Sequence, residues 1–259
     1  MSLAYLVDQV ARLLFPPRCQ VCGKLQDSPI CEACWSEIEF ISAPLCHCCG
    51  MPLDPLASGP PLCAECRSGR KFSGARAVGL HAGPLRQAII RYKYHGRRRL
   101  AETFGEMLAE LARAEGHDAL PLASAAAVLP VPLHPARRKW RGFDQAELLC
   151  APVAEALGIP VWTDALERVR DTTPQVDMRG KHRHENVRNA FEARKTYRLT
   201  GRSFILIDDV FTTGATISEC ARMLRKAGAA DVYALTVARA DPRPRHGPGH
   251  SSDTWGDEV

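Results

Sequence analysis

Two adjacent carboxylates, Asp208 and Asp209, stand just before a loop that holds Thr212, Thr213, Gly214, Ala215 and Thr216. Carboxylates accept hydrogen bonds from sugar hydroxyls. Hydroxyl and backbone N–H donors gathered ahead of a helix favour a phosphate. Gly214 tolerates positive φ and lets a ligand approach the backbone. The order of residue types therefore describes a site for a ribose that carries a phosphate. The elements that would position it are legible on either side. Residues 204–207, Phe-Ile-Leu-Ile, are apolar at every position, as in a central parallel strand buried on both faces. Ile217, Ala221, Leu224 and Gly228 follow at helical spacing. Strand, polar loop and helix is the arrangement in which open α/β sheets bind ligands at their carboxyl ends. Neither the Gly-x-x-x-x-Gly-Lys-Ser/Thr loop of nucleotide hydrolases nor the Gly-x-Gly-x-x-Gly dinucleotide string occurs in the chain.

A second chemistry lies near the N-terminus. Four Cys-x-x-Cys pairs fall between residues 19 and 66: Cys19/Cys22, Cys31/Cys34, Cys46/Cys49 and Cys63/Cys66. Two residues between cysteines let both sulfurs converge on one ion, and two such pairs complete a tetrahedral Cys₄ zinc site. Eight sulfurs suit two structural zincs. Sequential pairing would join Cys19, Cys22, Cys31 and Cys34 on one ion and Cys46, Cys49, Cys63 and Cys66 on the other; interleaved pairing satisfies the same spacing. Thiolates alone do not distinguish zinc from an iron–sulfur cluster. A disulfide framework would want an exported protein, which nothing in the sequence suggests. Cys48 is an extra thiol inside the third knuckle, and Cys150 and Cys220 fall in helical stretches as packing residues.

A chain of 259 residues has room for one large or two modest domains. Its 46% apolar and 24% charged residues are those of an ordinary folded chain, and a net charge of +5 is too small to imply nucleic acid by itself. No run approaches the roughly eighteen apolar residues of a membrane span. Leu3, Leu6, Val7, Val10, Leu13 and Leu14 read as a short amphipathic helix interrupted by Asp8 and Arg12, not as a secretory signal. A cytoplasmic protein is expected. Residues 75–80, 126–131 and 232–238 read as strands. Leu85, Ile89 and Tyr92 mark one helix, and Leu100, Phe104, Met107, Leu108 and Leu111 another. Alternation of this kind predicts a parallel α/β sheet. Asp144 and Glu147 form a capping box that opens a further helix, which Pro152 should kink or end. The expected division is 1–70 for an N-terminal helix and the cysteine module, 71–240 for the α/β domain, and 241–259 for a disordered Pro/Gly/Ser tail.

Basic residues cluster in three segments: Arg91 to Arg99, Arg137 to Arg141, and Arg168 to Arg188. About half of such side chains are solvated faces or salt-bridge partners. Arg137, Arg138 and Arg141 follow a predicted strand end, where cations with Mg²⁺ would neutralise a pyrophosphate. The 168–188 segment has the composition of a lid over the site, and His182 and His184 within it read as surface residues. Tyr92, Tyr94, Trp140 and Phe143 are the aromatics that a single-stranded DNA reader would use.

The stretch 204–216 resembles the fingerprint of the type I phosphoribosyltransferases. Together with the four cysteine knuckles it is joined by Lys93-Tyr-His-Gly-Arg97, Pro130-Val-Pro-Leu-His134, Arg141-Gly-Phe-Asp-Gln145, Thr173-Pro-Gln175 and Arg183-His-Glu-Asn186. In this order the motifs resemble the ComF family, over nearly everything from residue 1 to about 240. The resemblance implies a double zinc ribbon joined to a type I phosphoribosyltransferase-like parallel sheet flanked by helices. It also implies binding of phosphoribosyl pyrophosphate, or a related sugar phosphate, with Mg²⁺. Asp208 and Asp209 would hold the ribose and residues 212–216 the 5′-phosphate, ahead of transfer to an unidentified acceptor. It links the chain to DNA uptake and its machinery proteins. An alternative it allows is a non-catalytic sensor of the same ligand that binds single-stranded DNA and partners. The family usually has Arg-Gly-Phe-Asn-Gln where this chain has Asp144, a charge that would repel a neighbouring pyrophosphate.

Overall fold

The computed structural model describes residues 16–56, 59–118, 120–172, 185–194 and 197–241. The expected N-terminal helix, the segment 173–184 with His182 and His184, and the tail beyond 241 lie outside these residues. Two short helices, α1 (Glu32–Ser36) and α2 (Ala64–Arg67), belong to the cysteine module. Then follow β1 (Gly74–Leu80), α3 (Gly83–Tyr94), α4 (Leu100–Asp118), β2 (Ala127–Pro130), α5 (Pro135–Arg141) and α6 (Gln145–Leu157). The remaining described elements are β3 (Leu166–Arg168), β4 (Phe191–Ala193), β5 (Ser203–Phe211), α7 (Ala215–Lys226) and β6 (Asp231–Arg239).

Four strands form a parallel sheet in the order β1-β6-β5-β2, and β3 pairs antiparallel with β4 beside it. The fingerprint strand β5 is central, which is why residues 204–207 are apolar without alternation. Ile205 and Ile207 face a core with α3, α4 and α6. Phe204 and Leu206 face the opposite core, with α7 and the β3–β4 hairpin. The two cysteine groups divide in the same way. Cys19, Cys31 and Cys34 join the first core, while Cys46, Cys49 and Cys66 join the second.

Pro152 does not end its helix. It sits inside α6, and its ring lies against Gly105 of α4, where a Cβ would come within 2.6 Å of the proline Cγ. The small residue leaves room for the ring, so interhelical packing holds the helix through its missing backbone donor. Asp144 caps the same helix as expected, accepting from Ala146 N and Glu147 N at 3.1 and 3.3 Å. Glu147 instead turns to Arg138, at 2.7 Å.

The free edge of β1 is covered by the cysteine module. Ile41 N donates to Val78 O at 2.9 Å, Leu80 N to Glu39 O at 2.8 Å, and Ala75 N to Cys48 O at 2.7 Å. Phe40 bridges Gly79 in antiparallel sense. No described helix is long and apolar enough to cross a membrane.

Candidate functional site

The carboxyl ends of β1, β2, β5 and β6 open into a cavity of about 430 Å³. Its walls include Asp208, Asp209, Thr212, Gly214, Ala215 and Thr216 from the fingerprint, with Arg137, Arg141 and Arg168 facing them. Parallel pairing brings the walls together. Val131 N donates to Ile207 O at 2.9 Å, and Ala240 N to Phe211 O at 2.8 Å, so three strand ends meet around the Asp pair.

Asp209 is buried and forms an ion pair with Lys93 of α3, Nζ to Oδ1, at 2.8 Å. Asp208 accepts the Asp209 backbone N–H at 2.9 Å. Burial, and next the Asp209 charge, push the Asp208 carboxyl up to about 8, with Lys93 pulling the other way. Burial and the neighbouring charge therefore favour the protonated form of Asp208. His81, at the end of β1, is held down to about 4 by burial and by Lys93 and Arg86. It lines the cavity as a neutral ring.

The loop after β5 is built around Gly214, at φ +74°. A Cβ there would come within 2.4 Å of the Phe211 ring. Thr213 Oγ1 accepts from Ala215 N at 3.4 Å, while its carbonyl accepts from Arg70 Nη1 at 3.0 Å. Thr213 thus shapes the loop without lining the cavity. Gly214→Ala combines a left-handed backbone with a ring clash. It is expected to cost about 1–3 kcal/mol of stability, read as a lower denaturant midpoint at unchanged slope.

Arg137 and Arg141 lie one helical turn apart on α5, so both reach the cavity. Arg138, the next residue round the helix, is directed away to Glu147 and lies outside the cavity wall. Arg137 Nη2 donates to Thr172 O, and its Nε stands 3.5 Å from Asp171. Arg141 Nη1 donates to Gln145 Oε1 at 2.8 Å, leaving its own Nε and Gln145 Nε2 buried without partners. Asp144 directs both oxygens to backbone amides: Oδ2 accepts from Leu133 N at 3.2 Å while Oδ1 caps α6. Burial raises its pKa, against the pull of the amide hydrogen bonds.

Three wall residues were not singled out as site residues from sequence: Lys93, His81 and Arg168. Lys93 had a signal, the Lys-Tyr-His-Gly string. Arg168 had only a basic run around it. Its guanidinium donates to Thr172 Oγ1, lies 5.3 Å from the Phe191 ring centre, and keeps a buried Nε without a partner. Of the four aromatics, Tyr92 and Phe143 are buried in the core. Tyr94 and Trp140 remain exposed, with ring centres 6.2 Å apart.

The eight knuckle cysteines gather as Cys19, Cys22, Cys31, Cys34 and as Cys46, Cys49, Cys63, Cys66. Within each group the sulfurs all lie within 4.8 Å of one another. Pairing is therefore sequential. Although burial works against ionisation, the backbone amides of Cys22, Cys31 and Val21 bring Cys19 down to about 6. Similarly, Cys49, Cys63 and Cys48 bring Cys46 down to about 7. Burial instead pushes up Cys34 in the first group and Cys49 and Cys66 in the second, but four gathered sulfurs with no other donor type fit zinc.

Residues 10–67 match the family model of the double zinc ribbon domain. The chain is 31% identical to competence protein F of Haemophilus influenzae over 213 residues, covering 82% of this chain and 90% of that one. The chain belongs to the ComF family. A DNA utilization protein of Salmonella typhi in the same family is 32% identical over 234 residues, covering 88% of this chain and 99% of the relative. Among solved structures, glutamine phosphoribosylpyrophosphate amidotransferase from B. subtilis is similar with 25% identity. That match has a TM-score of 0.34 over 52% of this chain and a quarter of the other. This ComF protein joins an N-terminal double zinc ribbon to a four-stranded parallel sheet with flanking helices.

Proposed function

We propose that this ComF protein binds phosphoribosyl pyrophosphate with Mg²⁺ and transfers its phosphoribosyl group to an acceptor. One observation carries the reading: an acidic pair, a hydroxyl-rich loop and three arginines converge on one cavity at the strand ends. A ribose needs the first, a 5′-phosphate the second and a pyrophosphate the third.

Transfer would break the bond between C1 of the ribose and the pyrophosphate oxygen, with positive charge developing on the sugar. Asp208 and Asp209 would orient the ribose hydroxyls beneath that charge, and Lys93 would hold Asp209 in place. Residues 212–216 would anchor the phosphate, so that C1 stays aligned with its leaving group. Arg137, Arg141 and Arg168 would stabilise the departing pyrophosphate. Mg²⁺, when bound, supplies further neutralisation of the phosphates. Among the described residues Asp208 makes no ion pair, and it would hold the ion.

Because Asp208 is held near 8, binding of a cationic metal beside it should expel a proton at neutral pH. Calorimetric titration with Mg²⁺ and phosphoribosyl pyrophosphate is therefore expected to show saturable heat that changes with the ionisation enthalpy of the buffer. The buffer dependence should fade above about pH 9, where Asp208 is already ionised in the free protein. Absence of saturable heat at millimolar ligand would remove the proposal.

A further inference from the structure

The second cysteine group contacts the loop that would hold the phosphate, through two buried arginines. Arg70, just after α2 and four residues after Cys66 in the chain, donates through Nη2 to Glu65 at 2.6 Å. Its Nη1 donates to the Thr213 carbonyl at 3.0 Å, inside the loop. Arg239, the last residue of β6, is 2% exposed. Its Nη1 reaches the Cys49 carbonyl at 2.5 Å and the Cys49 sulfur at 3.6 Å. The same guanidinium lies 5.0 Å from the centre of the Phe211 ring, on which Gly214 closes. Phe72, between ribbon and sheet, meets that ring edge-on at 5.9 Å.

Arg239 has no carboxylate within ion-pair distance among the described residues. A buried cation needs a counter-charge, and the nearest source is sulfur. Four thiolates around one divalent ion carry net negative charge, which sets a counter-charge beside Arg239, while Arg70 already pairs with Glu65. The first cysteine group is attached differently. Arg91 Nη1 donates to Gln20 O at 3.0 Å and Arg99 Nη2 to Asp27 O at 3.1 Å, and neither contact touches the fingerprint.

We infer that Arg70 and Arg239 are positioning residues, and that the tetrathiolate of Cys46, Cys49, Cys63 and Cys66 is the counter-ion that keeps residues 211–214 in their ligand-ready form. Occupancy of this one metal site then sets the shape of the phosphate loop. Loss of the ion would release the four sulfurs from one another, so that Cys49 no longer fixes the Arg239 guanidinium. The arginine must then shift, and Phe211 and the turn at Gly214 shift with it. The effect on the loop stands whatever the loop binds; the effect on phosphate affinity rests on the function proposed above.

The test is amide hydrogen exchange of ligand-free protein over residues 210–216, with zinc content by native mass spectrometry, for Arg70→Ala, Arg70→Lys, Cys63→Ser and Cys22→Ser. Arg70→Ala and Cys63→Ser are expected to speed exchange there roughly tenfold. Arg70→Lys should restore part of the protection, and Cys22→Ser, in the first group, should leave it at the wild-type rate. Wild-type exchange in both Arg70→Ala and Cys63→Ser would overturn the inference. So would equal acceleration in Cys22→Ser, which would indicate general loosening. A parallel titration with phosphoribosyl pyrophosphate separates the two readings: wild-type protein that binds nothing removes the proposed function and leaves the exchange result intact.

Discussion

Asp209→Asn is expected to weaken binding of phosphoribosyl pyrophosphate about 100-fold, the equivalent of one or two charge-assisted hydrogen bonds at roughly 1.5–3 kcal/mol each. The loss has two sources. The amide keeps one acceptor for a ribose hydroxyl but gives up its charge. It also leaves the Lys93 ammonium without its partner at 2.8 Å, free to reorient in the cavity. A second, independent consequence concerns Asp208. The Asp209 charge is one of the causes of its raised pKa, second to burial, so neutralising Asp209 should bring Asp208 down toward the ordinary carboxylate range. The linkage has a definite sign. A carboxyl held near 8 in the folded protein binds a proton that the unfolded chain releases near 4, so its contribution makes stability fall as pH rises between those values. Asp209→Asn should flatten that fall, and Asp208→Asn should abolish it. Titration calorimetry with denaturant melts at several pH values measures all three effects. Affinity within threefold of wild type would show that the pair does not hold the ligand.

Removal of both metals should produce the largest structural change. Each Cys₄ site is closed by protein ligands, and such sites contribute on the order of 10 kcal/mol per ion to the fold around them. The ribbons have little other core: their buried residues are chiefly the ligands with Val21, Ile30, Ile38 and Met51. A strong chelator is therefore expected to make residues 16–70 accessible to protease while the sheet core persists longer. Limited proteolysis with mass mapping, beside a measurement of zinc content, checks this. Protection of 16–70 after the metal has left would mean that docking on the sheet, not the ion, holds the ribbons.

The fingerprint was legible because its parts are neighbours in sequence, so local spacing carries strand, loop and helix together. The same holds for the cysteine knuckles. How they pair is a matter of tertiary approach, and only the gathered sulfurs decide it. Among the arginines, the helical period of α5 separates Arg137 and Arg141 from Arg138, a distinction open to sequence once the helix is drawn. Lys93 meets Asp209 only because α3 packs over the sheet ends, and no local pattern encodes that approach. That Pro152 stays inside its helix was hidden for a similar reason. The residue that accommodates it, Gly105, lies on another helix.

A parallel sheet with an open outer strand offers its backbone to any passing chain, and β1 would be such a strand if it stood alone. Here residues 39–41 and Cys48 take up its hydrogen bonds. The ribbons are therefore a solubility device as well as a metal site. A polypeptide that began at residue 71 would keep the residues that line the cavity but lose the Arg70 contact to Thr213, and it would expose a sticky margin. Expressed alone, it should self-associate through that margin, so its behaviour would misrepresent the α/β half it was meant to isolate.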